Sequence, residues 1–360
     1  MGLKESLAEV YSGKRVLITG HTGFKGSWLS TILHNLGSKI KGIALPPEGN
    51  SLYNSLSNQV NIHSVYSDIR SFENLKNEII RFKPDFIFHL AAQPIVLKGY
   101  QEPRYTMDVN IMGTCNVLEV VRQLDYQCRV IVVTTDKVYE DTQSNMAYNE
   151  SDRLGGSDPY SGSKAACELV TISYVKSYFN SPGTSLVGVA RAGNVIGGGD
   201  YSEDRIIPDI IRALSSNQKI LIRNPHSVRP WQHVIDPLLG YLKFGAQLEQ
   251  TVNKNFMALN FGPDKAKTIN VLELAKTCID IWGSGKYEII NDTQAPKESD
   301  YLQLDSSHAR RLLKWQPLLN SNDALSCTID WYKRTIINNQ SPYQVTLSQI
   351  EELSKDPISI

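Results

Sequence analysis

Cysteine is scarce in this chain: five in 360 residues, at positions Cys115, Cys128, Cys167, Cys278 and Cys327. None forms a CxxC pair and no histidine stands beside one at ligand spacing, which argues against a zinc module and a disulfide scaffold. Free thiols in a reducing compartment, and no metal, are the expectation. An excess of either charge is also missing. Lysine plus arginine number 37 and aspartate plus glutamate 37. There is therefore no broad basic footprint for nucleic acid and no polybasic patch for a membrane. An anionic ligand has to be held by a local cluster. Long apolar runs are absent too. The longest stretch, from Phe86 to Leu97, is interrupted by His89, Gln93 and Pro94 and does not read as a membrane span. The opening MGLKESLAEVYSGKRV carries charges where a signal peptide needs an apolar core, so the expected location is the cytoplasm.

What remains is an ordinary globular composition, 41% apolar and 21% charged, enough for a full core. The first half alternates strands and helices. Strands are expected at 14–19, 39–45, 84–90, 129–135 and 185–190, and helices from about Gly26 to Leu36, Tyr105 to Leu124 and Tyr160 to Phe179. That rhythm predicts an α/β fold with a Rossmann-type doubly wound parallel sheet. After about Arg191 loops lengthen and helices dominate, which reads as a smaller mixed substrate lobe. The expected division is 1–190 for the dinucleotide-binding domain, with about 231–262 and 303–320 folding back onto it. About 191–230 and 263–302 form the lobe, and 321–360 a C-terminal helix and tail. Beyond Ser341 the tail is polar and reads as partly disordered or as an arm to another subunit.

The first strand runs into Gly20-His21-Thr22-Gly23-Phe24-Lys25-Gly26, which opens a helix. Glycines at this spacing let the backbone turn tightly and approach a pyrophosphate, whose charge then sits on the helix N-terminus. The strand-loop-helix context is what gives the pattern weight. The acid expected at the end of the second strand is missing: that strand ends Ala44-Leu45-Pro46-Pro47, with Glu48 only a late candidate, and no arginine stands there to receive a 2′-phosphate. NAD is favoured over NADP on that ground. Asp68-Ile69, after a further short strand, is either an adenine contact or an ordinary loop pair.

Tyr160 and Lys164 form YxxxK, and positions i and i+4 share a helix face. A free tyrosine has a pKa near 10; a neighbouring ammonium and a nicotinamide cation favour the phenolate, which can then take a hydroxyl proton as hydride leaves the same carbon. Thr135-Asp136-Lys137 end the central strand, at the sheet edge that faces the ligand crevice in doubly wound folds. They supply a hydroxyl donor, an acid and an amine in succession.

Together these residues resemble the extended short-chain dehydrogenase/reductase family, and within it the nucleotide-sugar 4,6-dehydratases. That group carries Thr-Asp-Glu after the central strand; here Lys137 replaces the glutamate. Thr-Asp-Lys, with Gly20-His-Thr-Gly-Phe-Lys-Gly-Ser-Trp-Leu29, Asp158-Pro-Tyr-Ser-Gly-Ser-Lys164 and Arg191-Ala-Gly-Asn-Val-Ile-Gly-Gly-Gly-Asp200, is similar to the branch that acts on CDP-glucose. The resemblance implies tightly bound NAD, oxidation at carbon 4 by Tyr160 and Lys164, loss of water across carbons 5 and 6, and hydride return to carbon 6. By family role Thr135 holds the carbon-4 oxygen and Asp136 protonates the leaving hydroxyl. Lys137 is either the base at carbon 5, which requires a pKa several units below about 10.4, or a purely electrostatic group. The resemblance adds Leu90, Ala91 and Ala92 to the cofactor side, and Gln93, Asn194, Arg205, Arg229 and Tyr301 to the substrate side. It also implies a homodimer or homotetramer and a role in deoxysugar supply for cell-surface polysaccharide such as O-antigen. Trp231, His233 and Trp315 read as packing residues. The rival readings are another nucleotide-sugar 4,6-dehydratase, acting on a dTDP- or GDP-sugar; a nucleotide-sugar 4-epimerase, which needs no acid for water loss; and a non-catalytic NAD-binding regulator, which has no use for the four groups Tyr160, Lys164, Thr135 and Asp136.

Overall fold

The computed structural model describes residues 2–142, 146–251, 256–263, 269–290 and 302–354. Its strands are β1 Arg15–Thr19, β2 Lys39–Ala44, β3 Ile62–Tyr66, β4 Phe86–His89, β5 Arg129–Val133 and β6 Leu186–Ala192, with β-branched and aromatic residues densest in β4 and β5. A seventh strand, Met257–Phe261, pairs with β6. All pairings are parallel, in the order seventh strand, β6, β5, β4, β1, β2, β3. Alternate residues feed two separate cores. Val16, Ile18, Phe86, Phe88, Ile131 and Val133 face one; Leu17, Ile87, Val130 and Val132 face the other. Burial on both faces is why these segments read as unbroken apolar runs.

The helices covering the first face include α1 (Leu3–Tyr11), α2 (Phe24–Asn35) and α10 (Ile235–Thr251). Three others cover the second: α4 (Phe72–Phe82), α7 (Gly113–Arg122) and α8 (Pro159–Tyr178). The remaining helices are α3 (Leu52–Leu56), α5 (Val96–Gln101), α6 (Pro103–Met107), α9 (Ile206–Ser215), α11 (Val271–Trp282), α12 (Ser307–Leu313), α13 (Ser321–Tyr332) and α14 (Pro342–Leu353). Short strand pairs join 195–196 to 232–233, 228–229 to 269–270, and 219–222 to 286–289. Among the described residues no helix is long and apolar enough to cross a membrane.

Two segments depart from the sequence expectation, and a third, the opening one, had no structural assignment. The continuous helix expected over Tyr105–Leu124 is α6 and α7 joined by a π-helical turn, Asp108–Met112. The wider turn presents Asn110 inward, where its side chain accepts from Gln93 N at 2.8 Å and donates to Ser163 Oγ at 2.8 Å. The charged opening segment is the amphipathic helix α1, with Leu3, Leu7 and Tyr11 buried at four-residue spacing. The tail after Ser341 is not a free arm over 342–353: it is α14, docked on α3, α13 and α2 with Val345 and Ile350 buried.

Candidate active site

The carboxyl ends of β1, β2, β4, β5 and β6 open into one cavity of about 620 Å³, within the range of about 300–1,000 Å³ of ligand clefts. It lies where the strand order reverses between β1 and β4, the crevice such sheets offer to ligands. The glycine turn forms one wall. Gly20 has φ +78°, and a Cβ there would come within 2.7 Å of Ala91 N; a Cβ on Gly26 would meet Gly20 O at 2.1 Å. Only glycine brings β1, the loop after β4 and α2 this close. The N-terminus of α2, capped by Gly23 without a side-chain bond, adds unpaired backbone N–H groups to that wall.

Tyr160 is fixed by the start of its helix. Asp158 caps α8, its carboxylate accepting from Tyr160 N at 2.8 Å, Ser161 N at 3.0 Å and Ser161 Oγ at 2.7 Å, and Pro159 takes the first helical position. One turn on, the Lys164 amine donates to Val133 O at 3.3 Å, the last carbonyl of β5. Thr135 caps the short turn Asp136–Val138, its hydroxyl accepting from Lys137 N at 3.3 Å and donating to Asp136 Oδ1 at 3.0 Å. Asp136 is only 2% exposed, and its Oδ2 has no partner among the described residues. Burial raises its pKa, opposed by Lys137, Thr135, Arg229 and Lys25. Burial also pushes the Tyr160 phenol up to about 12, against a hydrogen bond with Thr135 and the charge of Arg205. Lys164 is held below the usual amine range by burial, with Cys167 and Glu168 opposing. Burial brings Lys25 down to about 7, reinforced by the charges of Arg205 and Lys164 and opposed by Asp136 and Asp200.

Thr135, Asp136, Lys137, Tyr160 and Lys164 all line this one cavity. So do Gly20, Thr22, Gly23, Phe24, Lys25, Gly26, Asp68, Ile69, Leu90, Ala91 and Ala92, together with Asn194, Arg205 and Arg229. Two expected residues lie off it. The His21 ring is wholly buried against Gly42 and Tyr53, its Nε2 on Ser64 Oγ at 3.1 Å, and burial lowers its pKa to about 4. Gln93 spends its amide on Ile95 O at 3.1 Å, Thr106 Oγ1 at 2.8 Å and Ile95 N at 2.6 Å, so it braces the loop beneath the cavity instead of meeting a ligand. Tyr301 lies outside the described residues. Asp68 lines the wall, but its carboxylate is gripped by Arg70, which also bonds Asp108. Trp231, expected only to pack, is buried and also lines the cavity. His233 and Trp315 are packing residues: His233 stands edge-on to Trp28, and Trp315 donates to Asp236 O at 3.0 Å.

Several lining residues had no assignment from sequence: Asp200, Ser202, Arg223 and Asn224. The glycine run ending at Asp200 was the available signal. Asp200 accepts from Ser202 Oγ at 2.7 Å and from Arg205 Nη1 at 3.1 Å, tying the loop to α9. That loop is held from behind. Trp28 Nε1 donates to Gly198 O at 2.9 Å and Tyr332 Oη to Asp200 O at 2.5 Å. A Cβ on Gly198 would collide with Trp331 at 2.0 Å, and Trp331 Nε1 donates to Thr346 Oγ1 of α14 at 2.9 Å.

The residues present fit a dinucleotide: a glycine cradle that any Cβ would fill, a helix N-terminus, and a cavity long enough to reach Tyr160 and Lys164. Comparison with known proteins agrees with that outline. The solved structure of the epimerase Mth375 from Methanothermobacter thermautotrophicus superposes with a TM-score of 0.78 at 24% identity, covering 93% of this chain and 97% of that one. DesIV, a dTDP-glucose 4,6-dehydratase from Streptomyces venezuelae solved with NAD and TYD bound, gives 0.78 at 22% identity, covering 91% and 99%. In sequence, the CDP-glucose 4,6-dehydratase of Salmonella typhimurium is 41% identical over 333 residues, 91% of this chain and 92% of that protein. Residues 17–327 match the family model described as GDP-mannose 4,6 dehydratase, a span that includes every described segment lining the cavity. With that span and that identity in hand, the chain belongs to the GDP-mannose 4,6 dehydratase family of nucleotide-sugar dehydratases.

Proposed function

We propose that this protein holds NAD against the glycine turn and converts CDP-glucose to CDP-4-keto-6-deoxyglucose with loss of water. The observation that carries the reading is Asp136. It is a buried carboxyl whose pKa burial raises, in the same cavity as Tyr160 and Lys164. An epimerase has no step that needs such an acid, and a regulator needs none of these groups. The choice of CDP-glucose is supported by the Salmonella typhimurium relative.

A bound NAD, held by the glycine turn at 20–26 and the N-terminus of α2, would supply hydride acceptance at carbon 4 and hydride delivery at carbon 6. The chain's own residues move the protons. Tyr160 takes the carbon-4 hydroxyl proton, and Lys164 orders it from the next turn of α8. Lys137 is assigned the carbon-5 proton. Asp136 gives its proton to the carbon-6 hydroxyl, which leaves as water. As carbon 6 regains its hydride, Lys137 returns its proton to carbon 5, which leaves Tyr160 with one proton too many and Asp136 with one too few. Thr135 hydrogen-bonds Tyr160 and donates to Asp136 Oδ1 at 3.0 Å, so a single hydroxyl can return the proton. Arg205, Arg229 and Arg223 line the same cavity and supply cations for a diphosphate.

Self-association is part of the proposal. Tyr100, Met112, Leu169 and Tyr178 are exposed apolar side chains on α5, the π turn and α8. Deoxysugar supply for surface polysaccharide is the proposed setting, in the cytoplasm. The test is incubation with CDP-, dTDP-, GDP- and UDP-glucose, followed by the alkaline absorbance of a 4-keto-6-deoxy product. Product from CDP-glucose first is the expected outcome. Carbon-4 epimer without keto product would overturn the reading.

A further inference from the structure

A buried ion pair that is not itself part of the cavity lining bonds Thr134, two residues before the acid. Glu168 is 0% and Arg191 1% exposed. Glu168 sits on α8 one turn beyond Lys164, and Arg191 near the end of β6. Arg191 Nε donates to Glu168 Oε1 at 2.9 Å and Oε2 at 3.0 Å, and its Nη2 closes the fork on Oε2. Removing two charges from water costs several kcal/mol, and a well-packed apolar pair in their place is often as stable. Net stability is thus a weak reason for such a pair. Its remaining bonds suggest another.

The Thr134 hydroxyl donates to Glu168 Oε1 at 2.6 Å. On the other side Arg191 Nη1 donates to the Tyr139 hydroxyl at 2.7 Å, with the guanidinium 4.8 Å from the Tyr139 ring centre, and that hydroxyl donates to Asn260 Oδ1 at 2.7 Å. Thr134 and Tyr139 are the residues on either side of Thr135-Asp136-Lys137-Val138. One ion pair therefore grips both ends of the turn that carries the acid, and it is rooted in the helix that carries Tyr160 and Lys164. We propose that Glu168 and Arg191, acting through Thr134 and Tyr139, are positioning residues that fix the acid Asp136 relative to the oxidising pair on α8. This rests on the dehydratase reading above.

The consequence is specific to one step. Oxidation at carbon 4 is driven by Tyr160 and Lys164 on α8 and draws on the turn only through the Thr135 hydroxyl, whereas loss of water needs the Asp136 carboxyl itself held in register with α8. Loosening the grip slows elimination and leaves oxidation running, so reduced dinucleotide builds up on the enzyme. A purely structural role would lower the active fraction and scale both steps equally. The experiment is rapid mixing of the NAD-loaded enzyme with CDP-glucose, following reduced dinucleotide by its near-ultraviolet absorbance and keto product by quenching. The variants are Thr134→Val, Tyr139→Phe and Glu168→Gln. The first two remove one arm each and leave the ion pair intact, so they keep the test alive if Glu168→Gln does not fold. Expected is a fall of about tenfold or more in elimination, with oxidation within about twofold, as a sub-ångström displacement of one catalytic group would give. Equal loss of both steps in the folded variants, or no loss in either, overturns the proposal. Failure of the unaltered protein to form keto product from any of the four nucleotide-glucoses would instead overturn the dehydratase reading.

Discussion

Gly193 offers a direct test of how closely the acid is fitted. It follows β6 with no left-handed backbone requirement, so its lack of a side chain is a matter of space. A Cβ there would lie 2.8 Å from Asp136 Oδ2 and 3.1 Å from Pro230 Cγ. Ordinary contact needs about 3.4 Å or more, so Gly193→Ala displaces the carboxyl by roughly half an ångström. Asp136 cannot move that far without stretching its 3.0 Å bond from Thr135. Misplacement by about 1 Å costs on the order of a hundredfold in rate, so a loss of about tenfold to a hundredfold in kcat is expected. Overpacking should also cost about 1–3 kcal/mol of stability. The assay is steady-state formation of keto product, with single-turnover reduction of the dinucleotide measured alongside. Reduction should survive, because Tyr160 and Lys164 do not touch the added methyl. A kcat within about twofold of the unaltered protein, or equal loss of reduction and elimination, would refute the assignment of Asp136 as the fitted acid.

Asp236, in the first turn of α10, is buried with Oδ1 on Leu318 N at 2.7 Å, and burial raises its pKa from 3.8 to about 7. The folded state then keeps a proton that the unfolded chain loses between those values. Stability falls as pH rises through that window, by at most about 4 kcal/mol. Asp236→Asn should flatten the melting temperature between about pH 4 and pH 7, and an unaltered slope in that variant would contradict the account. Tyr160→Phe should retain dinucleotide binding and lose turnover; unchanged turnover would remove Tyr160 as the base. Lys137→Ala should abolish solvent exchange of the carbon-5 proton. Exchange that persists there but vanishes in Lys25→Met would move that base to Lys25, whose pKa burial brings to about 7. Since burial raises the Asp136 pKa, activity should decline on the alkaline side as that carboxyl ionises, and Asp136→Asn should remove that limb along with most of the rate.

Periodicity and turn chemistry sufficed where local signals were strong. The glycine turn, the Asp158 cap before Tyr160 and the apolar runs of β4 and β5 each declare their conformation within a few residues. Tertiary demand decided the rest. His21 sits inside the glycine motif, yet its ring fills space over Gly42 and cannot reach a ligand. Gln93 looks like a polar group at a strand end, but the π turn's Asn110 and Thr106 claim its backbone N–H and side chain. No local pattern announces a π turn, because its extra residue is stabilised by partners on α8. The role of α14 was hidden for a related reason: a polar sequence needs only a few buried positions, here Val345 and Ile350, to dock.

The glycine loop at 197–200 owes its shape to Trp331 and Tyr332, more than 130 positions further along the chain. During synthesis the sheet and the dinucleotide turn can assemble while that loop is still without its backing. The ribosome must deliver the late aromatic pair before Arg205 acquires a fixed anchor, so cofactor capture can precede competence for sugar. A missense change at Thr346 or Trp331 would then be felt as a defect in substrate affinity, far from any residue that meets the sugar.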